Sequence, residues 1–373
     1  MQGRIFFFIG TEAELIKLFP VMMELDKRKT DYHIIASGQN DISDSRIFLK
    51  TGCKTVDLKL GKESDIEKSA RGLMKWFWRT YRTAARKIIK SFPDTDLKKS
   101  EMVVHGDTVS TLMGAGLGKK LGMSVCHVEA GLRSYNLLNP FPEEIDRILT
   151  SKCADMHFAP GKVPSKNLRR AKGRVINTGQ NTLIDSLSYS LQIPVDSHAL
   201  AYLEDDYFVF VMHRQENLGS KAFFTRVVEK ICKVAGHLKC IFVIHQITGH
   251  ALRTYGLMEE VKNHPDIVLQ PRADYFDFMK ILYHARFVIT DGGSNQEELY
   301  YMGKPCLIMR KTTERQEGIG GNAMLLGRQA DVPEVIERFA ATYRTMERQP
   351  VTAEKSPSFI IAEKLSEICG SES

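Results

Sequence analysis

Short apolar segments that alternate with longer helical segments constrain the fold of this chain more than any other feature. The apolarity within each segment is continuous, which is typical of strands buried on both faces in a parallel sheet covered by helices. The predicted strands are residues 5–9, 33–36, 102–105, 125–128, 156–159 and 175–177, then 208–212, 241–245, 267–269, 287–290 and 306–309. Two such βα series in succession predict an α/β protein with two doubly wound domains.

A stretch rich in Gly, Asn, Ser and Pro separates the two series, at residues 177–198. Such composition is typical of a domain junction. We therefore predict an N-terminal domain over residues 1–180 and a C-terminal domain over residues 181–355. Ligands of these sheets bind outside the carboxyl ends of the strands, so the expected site is the cleft between the two domains.

The composition excludes several classes of protein. Hydrophobic residues make up 43% and charged residues 26% of the 373 residues, the balance of an ordinary globular protein, and no apolar run approaches the roughly 20 residues that span a bilayer. Seven scattered cysteines without a C-x-x-C pair predict reduced thiols in a cytoplasmic protein and no metal site. The net charge of +7 suits an anionic ligand. Without an RNA-binding aromatic signature or a long lysine tract, we expect no nucleic-acid partner.

Polar clusters follow six of the predicted strands, at the point where each strand ends. They read GTEAE, GQN, HGDT, EAGLR, HRQEN and DGGSNQEE, and begin at residues 10, 38, 105, 129, 213 and 291. A single polar βα turn would need no explanation beyond solvent exposure. Six polar turns at the carboxyl ends of strands, five of them with His, Asp, Glu or Arg, favour a functional site.

Three carboxylates of the first domain, those of Asp107, Glu129 and Glu143, are the candidates for acid–base chemistry. Carboxylates gathered in a closed cleft repel one another, which raises at least one pKa toward the working pH. General acid–base chemistry on a sugar C–H or C–O bond requires this. The alternative is that Glu143 and Asp146 only pair with Arg147 or Arg133. His213 and Arg214 end the first strand of the second domain and are candidates for phosphate binding or proton transfer, or for a structural role.

The turn Gly292-Gly293-Ser294, directly before a predicted helix, and the segment 310–318 suit a phosphate ligand. Glycines let the backbone approach a ligand, and a helix N-terminus offers N–H groups to an anion. Ser294 could donate a hydroxyl or cap the helix, and Glu297 or Glu298 could hold ribose hydroxyls or complement the helix dipole. Arg310 and Arg315 suit a diphosphate, or belong to a solvated charged loop.

Several motifs together resemble the bacterial UDP-N-acetylglucosamine 2-epimerase family. They are GTEAELIKLFPVMMEL, HGDTVSTLMGAGLGKKLGMSVCHVEAGLRS, NPFPEEIDR, TGQNTLIDSL, VMHRQEN and DGGSNQEELYYMGKPCLIMRKTTERQEG, which occur in family order over residues 10 to 327. The resemblance implies a GT-B architecture, with two Rossmann-like doubly wound domains facing across a cleft. It also implies that a C-terminal helix within residues 356–373 packs back on the N-terminal domain.

The resemblance implies a reaction as well. Family members eliminate UDP from UDP-N-acetylglucosamine and add it back on the other face, or release an N-acetylmannosamine-type sugar for cell-surface polysaccharide, without a cofactor. The residues that match the family's catalytic positions are Asp107, Glu129, Glu143 and His213. The positions expected to bind substrate or diphosphate are Lys17, Gln39, Arg133, Arg214, Phe278, Gly292, Gly293, Ser294, Glu298 and Arg315.

Three turns depart from the family pattern. Glu12 stands where the family's first turn has an arginine, Asn40 stands where the second has a histidine, and the family's S-G-G is permuted to Gly292-Gly293-Ser294. An acid at position 12 should repel a diphosphate unless the turn is reoriented. The alternative function is therefore a GT-B glycosyltransferase or phosphoribosyltransferase with a sugar-diphosphate donor, and a non-catalytic sugar-nucleotide sensor is a third.

Residues 68–90 carry eight basic residues and no acid. Helical spacing predicts a buried stripe, with Trp78 and Tyr81 off it among the arginines. The stripe consists of Leu73, Trp76 or Phe77, Thr80, Ala84 and Ile88. We expect a helix packed on the sheet with a solvated basic face or a dimer surface. The alternative is a helix that contacts anionic lipid headgroups at the inner face of a membrane. The family resemblance implies a homodimer.

Overall fold

The computed structural model describes residues 2–66, 69–135, 142–194, 202–310, 317–326, 332–343 and 355–370. The chain divides into two compact units. The first unit comprises Met1–Ser186 together with Ala353–Ser373, and the second comprises Leu187–Thr352. Each unit is built on one parallel sheet with helices, which is the predicted α/β class.

The first unit contains a sheet of seven described strands in the order β3-β2-β1-β4-β5-β6-β7. The strands are β1 (Ile5–Ile9), β2 (Tyr32–Ala36), β3 (Leu58–Lys59), β4 (Glu101–His105), β5 (Ser124–Val128), β6 (Met156–Ala159) and β7 (Arg174–Asn177). The helices are α1 (Glu12–Lys27), α2 (Arg46–Thr51), α3 (Ala70–Ser91), α4 (Val109–Leu121), α5 (Glu143–Cys153) and α6 (Lys162–Asn167). Helix α7 (Leu183–Gln192) begins in the first unit and continues past Ser186 into the second. Every residue of β1 is buried, as continuous apolarity predicts.

The second unit contains a sheet of six described strands in the order β10-β9-β8-β11-β12-β13. The strands are β8 (Tyr207–Val211), β9 (Lys239–Ile244), β10 (Ile267–Pro271), β11 (Val288–Thr290), β12 (Cys306–Ile308) and β13 (Ala323–Leu325). The helices are α8 (Gln215–Leu218), α9 (Lys221–Ala235), α10 (Gln246–Tyr255), α11 (Met258–Lys262), α12 (Tyr275–His284), α13 (Gly293–Tyr301) and α14 (Val332–Tyr343). Phe208, Phe210 and Phe242 anchor its core.

The last described helix, α15 (Pro357–Gly370), follows the second unit in sequence but packs on α1 of the first. The Ser358 backbone N–H donates to Asp185 Oδ2 at 2.8 Å, and the Arg28 guanidinium lies 4.5 Å from the Phe359 ring centroid. A hydrogen bond and a cation–π contact thus fix α15 on the first unit.

Strand order reverses once in each sheet, and the reversal determines where a ligand can bind. In the first sheet β1 lies between β2 and β4, and in the second β8 lies between β9 and β11. The loops that leave the two middle strands diverge at these points and open a crevice at the carboxyl ends. The crevices therefore lie at the turns after β1 and β4 and at the turns after β8 and β11.

Helix α3 packs one face against the first sheet. Trp76, Thr80, Ala84 and Ile88 are buried, as the predicted stripe requires, whereas 51% of Trp78 is exposed. The basic side chains lie on the outer face. Within the described parts of the chain, no helix is both long and apolar enough to cross a membrane.

Glu101 is a buried acid at the start of β4 and should make stability depend on pH. Burial raises the pKa of its carboxyl to about 7, because a hydrogen bond from Cys126 Sγ (3.7 Å) is weak compensation. The folded protein then favours the protonated form, so this site destabilises the fold increasingly as pH rises from about 4.5 to about 7. Glu101→Gln removes the charge. We expect the variant to be more stable than the parent by about 2–3 kcal/mol at pH 8 and equal to it near pH 4.

Urea unfolding of both proteins at the two pH values measures this difference. Since Glu14 and Asp146 titrate identically in parent and variant, the difference isolates Glu101. A stabilisation of the same size at both pH values would contradict a buried titrating carboxyl.

Candidate active site

Glu14 connects the turn after β1 to the turn after β4. It is buried, and its carboxylate accepts hydrogen bonds from the Gly10 backbone N–H at 2.6 Å and from Thr108 Oγ1 at 2.5 Å. It also completes a capping box with Thr11 at the start of α1. Burial raises the pKa of Glu14 to about 7 although these hydrogen bonds oppose the shift, and the nearby Asp107 adds to it. Glu14 thus determines the position of the residue pair Asp107–Thr108.

Glu129 follows β5 and is the centre of a buried polar cluster. Lys17 Nζ and Asn181 Nδ2 both donate to Glu129 Oε2, and His105 Nε2 lies 3.7 Å from the same oxygen. Burial lowers the pKa of His105 to about 3, with Lys17 adding to the effect, so His105 is neutral. The backbone φ of Glu129 is +61°, which a residue with a side chain adopts rarely. Such backbone strain is typical of functional sites, and here it fixes the direction of the Glu129 side chain.

Asp107 forms an ion pair with Arg147, which comes from the first half of α5. Arg147 Nη1 also lies 3.7 Å from Glu144 Oε2. The Glu144 carboxylate accepts hydrogen bonds from Arg133 Nε and, at 2.9 Å, from the Ser134 backbone N–H. Burial opposes ionisation of Glu144, but the hydrogen bonds from Ser134 and Arg133 outweigh it and hold its pKa below the ordinary value. Glu144 thus anchors two arginines.

Glu143 and Asp146 lie in the first turn of α5, and neither shows the pairing that the structural alternative required. Glu143 Oε2 and Asp146 Oδ2 are buried without a hydrogen-bond partner among the described residues. Burial raises the pKa of Asp146 to about 7, and the charges of Asp107 and Glu143 add to the effect. Burial is therefore the main cause of a pKa near neutrality at Asp146, and the neighbouring carboxylates contribute less.

The turn after β2 is tied to the start of α4. Gln39 Oε1 accepts from Ser110 Oγ at 2.6 Å, and the Asn40 backbone N–H donates to Gly10 O at 2.8 Å. Glu12 is exposed and lies 3.4 Å from Ser45 Oγ, measured between Oε1 and the hydroxyl oxygen. The acid that replaces the family's arginine therefore contacts the N-cap residue of α2.

Asp291 organises the turns after β8 and β11 in the second unit. Its fully buried carboxylate accepts from the backbone N–H groups of His213 (3.0 Å) and Arg214 (2.9 Å) and from Asn217 Nδ2 (3.0 Å). Three donors on one buried carboxylate fix the course of the backbone through these residues.

His213 is stacked on His245 with ring centroids 4.7 Å apart. Its Nδ1 lies 3.3 Å from Asp291 Oδ1 without the alignment of a hydrogen bond. Burial lowers the pKa of His245 to about 4, and the neighbouring His213 and Arg272 add to the effect. His245 is therefore neutral near pH 7 and supports the His213 ring without adding charge.

The glycine turn leads directly into α13. Gly292 is the N-cap residue and Gly293 begins the helix, so Ser294 lies inside the first turn and is not the cap. A Cβ on Gly292 would lie 2.6 Å from Asn295 Oδ1 and 3.2 Å from His213 Cε1, so a larger residue here would displace the Asn295 side chain. The N-cap residue Gly292 offers no side-chain hydrogen bond to the helix, and a helix N-terminus of this kind is suited to an anion.

The remaining predicted binding residues of the second unit lie on separate elements. Glu298 is buried and accepts from Asn295 Nδ2 at 3.0 Å. Arg214 Nε lies 3.1 Å from Glu216 Oε1 in a part-exposed ion pair. Phe278 is half-buried on α12. Arg315 lies outside the described residues.

The predicted site residues thus fall into two sets. Asp107, Glu129, Glu143 and Lys17 surround the reversal between β1 and β4, and His213, Arg214, Gly292 and Gly293 surround the reversal between β8 and β11. The prediction did not include Glu14, Asp146, Asn181 or Asp291. Each lies in a quoted motif, and only for Glu14 does the sequence give a signal, the capping-box spacing from Thr11.

Comparison with known proteins places the chain. A protein-family model for UDP-N-acetylglucosamine 2-epimerase matches residues 23–361. A UDP-N-acetylglucosamine 2-epimerase of Methanocaldococcus jannaschii is 30% identical over 333 residues, covering 85% of this chain and 86% of that protein. A UDP-2,3-diacetamido-2,3-dideoxy-D-glucuronate 2-epimerase of Pseudomonas aeruginosa is 30% identical over 334 residues, covering 87% and 88%. The solved M. jannaschii UDP-GlcNAc 2-epimerase in complex with UDP-GlcNAc and UDP aligns with a TM-score of 0.75 and 27% identity over 98% of this chain and 99% of that one.

These similarities cover 85% or more of both partners. The predicted GT-B class, with two Rossmann-like domains, is confirmed. The chain belongs to the UDP-N-acetylglucosamine 2-epimerase family.

Proposed function

We propose that the chain inverts the configuration at C2 of a UDP-linked 2-acetamido sugar and so supplies an N-acetylmannosamine-type sugar for cell-surface polysaccharide. The observation that carries the proposal is the carboxylate set Asp107, Glu129 and Glu143 at the β1/β4 reversal, in a chain that matches the family model over residues 23–361. The solved relative whose complex contains UDP-GlcNAc and UDP supports a UDP-sugar as the partner.

The carboxylates supply the proton chemistry. One of them removes the proton from C2 while the C1–O bond breaks, so that the electron pair forms a C1=C2 double bond and UDP departs. UDP then adds back to C1 while C2 receives a proton on its opposite face. The elevated pKa of Asp146 allows that side chain to hold a proton near neutral pH beside Asp107 and Glu143. Two faces of one sugar carbon need at least two proton-transferring groups, and this cluster offers them.

The turns after β8 and β11 of the second unit are suited to binding a diphosphate. The uncapped N-terminus of α13 and the neighbouring Arg214 are suited to an anion, and His213 lies beside them. Negative charge on the diphosphate grows as the C1–O bond breaks, so donors fixed in advance stabilise the transition state more than the ground state. Asp291 holds the His213 and Arg214 backbone in place for this role.

Deuterium incorporation at C2 tests the proposal. The protein is incubated with UDP-GlcNAc in deuterated water, and the recovered sugars are analysed by mass spectrometry and NMR. Deuterium at C2 with formation of UDP-ManNAc supports a non-hydrolysing epimerase, and free ManNAc with UDP supports a hydrolysing one. A parallel incubation uses the UDP-linked 2,3-diacetamido uronic acid on which the P. aeruginosa relative is named to act. Absence of exchange and of UDP release with both sugars would contradict the proposal.

The transferase alternative predicts a different outcome. A glycosyl- or phosphoribosyltransferase breaks the bond to the diphosphate without touching a C2 proton, so it shows no deuterium at C2. Glu12 is exposed, and its carboxylate accepts a hydrogen bond from Ser45 at the start of α2. This contact favours the epimerase over the transferase. Two further partners, a second copy of the chain in a homodimer and lipid contacted by residues 68–90, are proposals of the same kind.

A further inference from the structure

The outer face of α3 combines basic and apolar side chains in a way that the epimerase reaction does not use. The helix carries seven basic residues and no acid, namely Arg71, Lys75, Arg79, Arg82, Arg86, Lys87 and Lys90. Lys87 donates to the Leu60 carbonyl oxygen at 2.8 Å, which turns it back toward the first unit. Arg71, Lys75, Arg82, Arg86 and Lys90 form no ion pair within the part of the chain that the structure describes.

Exposed apolar side chains lie on the same face. Met74, Trp78 and Ile89 are 56%, 51% and 54% exposed, respectively. Trp78 packs edge-on against Phe77 and Tyr81, with ring centroids 5.4 and 6.2 Å away. Its indole is thereby held on the surface by neighbouring rings. Since water contact with large apolar groups is unfavourable, Met74 and Trp78 one turn apart, with Ile89 further along the same face, mark an interaction surface among the basic residues.

The charge pattern selects the partner. In a symmetric contact the same patch faces itself, so two copies of α3 would bring their unpaired arginines and lysines together. Lys120, whose Nζ lies 5.3 Å from the Tyr81 ring centroid, would add to the repulsion. An anionic partner is favoured instead, and one that also receives Trp78, Met74 and Ile89 must offer an apolar layer directly beneath its negative charge.

We propose that α3 docks the protein on an anionic phospholipid bilayer, with Trp78 at the level of the headgroups and Arg82 and Arg86 against the phosphates. Tryptophan prefers the membrane interface, and long basic side chains keep their charge at the headgroups while their stems lie on apolar surface. The inner face of α3 stays packed on the sheet through Trp76, Ala84 and Ile88. The contact is therefore peripheral and requires no unfolding of the helix.

Co-sedimentation of the full chain with vesicles tests the proposal. We expect binding to phosphatidylcholine vesicles that contain about one-quarter phosphatidylglycerol at about 0.1 M salt, and loss of binding at about 0.5 M salt, because salt screens the attraction. Vesicles of phosphatidylcholine alone should not bind. Arg82→Glu/Arg86→Glu should weaken binding about 25-fold or more, since each basic residue near a membrane contributes roughly fivefold.

The control is Lys221→Glu/Lys262→Glu, which changes the net charge equally at exposed positions of the second unit. It should bind as the parent does, and thermal unfolding checks that both double variants are folded. Brominated acyl chains should quench the fluorescence of Trp78 and leave buried Trp76 unchanged, so Trp78→Phe should abolish the quenching; these are the only tryptophans of the chain. No binding to anionic vesicles, or equal loss in the control, would overturn the proposal. So would a dimer that Trp78→Ala dissociates, because α3 would then be a protein interface.

Discussion

Asp107→Asn is expected to reduce turnover of the UDP-sugar about 10²–10⁴-fold while the affinity for UDP stays within about twofold. The amide has nearly the same shape as the carboxylate but cannot take up a proton. Asp107 follows β4 at the β1/β4 reversal and pairs with Arg147. Arg147 keeps Glu144 as a neighbour at 3.7 Å in the variant, so its charge is not left isolated. The loss should therefore appear in kcat and in the rate of deuterium incorporation at C2.

The matched control is Asp155→Asn. Asp155 precedes β6 at the opposite end of the same sheet and pairs with Lys119 at 2.8 Å in a part-exposed ion pair. Removing this pair should leave turnover unchanged within about twofold, because exposed ion pairs contribute little. Calorimetric titration with UDP separates binding from chemistry. Full turnover in Asp107→Asn would remove the proton-transfer role from this residue, and loss of UDP binding would make its role one of substrate binding.

The strands were the part of this fold that the sequence predicts best. Each of the eleven predicted strands has a counterpart, with ends shifted by a residue or two, because continuous apolarity reports burial on both faces directly. The two strands outside the prediction, β3 and β13, have two and three residues. A segment that short contains too few side chains for a recognisable pattern, and its pairing depends on neighbours far away in sequence.

For the candidate site, the sequence predicts which turns contribute residues. Strand ends meet at one edge of a parallel sheet, so Asp107 and Glu129 could be placed at that edge of the first sheet, and His213 at that edge of the second, without coordinates. Which side chains pair with one another could not be predicted from the sequence. Glu144 and Asp146 lie in the same turn of α5 as the predicted residue Glu143. Even so, Glu144 anchors Arg133, whereas Asp146 is buried beside Asp107. Helical spacing alone does not tell which side of a short helix contacts the sheet and which carboxylate finds an arginine.

Asp291 illustrates the same limit over a longer distance. Its partners His213 and Arg214 are 78 and 77 positions away along the chain. The register that brings them together is set by the pairing of β8 with β11, in which Val211 lies opposite Thr290. From sequence, Asp291 is one more polar residue at a strand end. Only the strand order shows that it lies at the reversal, beside the histidine.

Asp291→Leu is expected to destabilise the second unit by about 3–5 kcal/mol. Leucine is similar in size but accepts no hydrogen bond, so the N–H groups of His213 and Arg214 and the amide of Asn217 lose their acceptor inside the protein. Each buried donor left without a partner costs about 1–3 kcal/mol. Asp291→Asn retains one acceptor oxygen and should cost less, about 1–3 kcal/mol. Urea unfolding gives the free energies, and hydrogen exchange of the His213 and Arg214 amides reports the local effect.

Turnover should fall in the same order as stability, because the hydrogen bonds to Asp291 also position His213 and the backbone that enters α8. The expected loss of turnover is larger for Leu than for Asn at position 291, with the affinity for UDP falling in parallel. Asp206→Leu is the control in the same unit. Its carboxylate is exposed and forms an ion pair with Arg286, in which Asp206 Oδ1 lies 2.5 Å from Arg286 Nη2. The substitution should therefore change stability by less than about 1 kcal/mol. If the His213 and Arg214 amides stayed protected from exchange in Asp291→Leu, their hydrogen bonds to Asp291 could not be what holds this turn, and the position of His213 would have to be maintained by its stacking on His245.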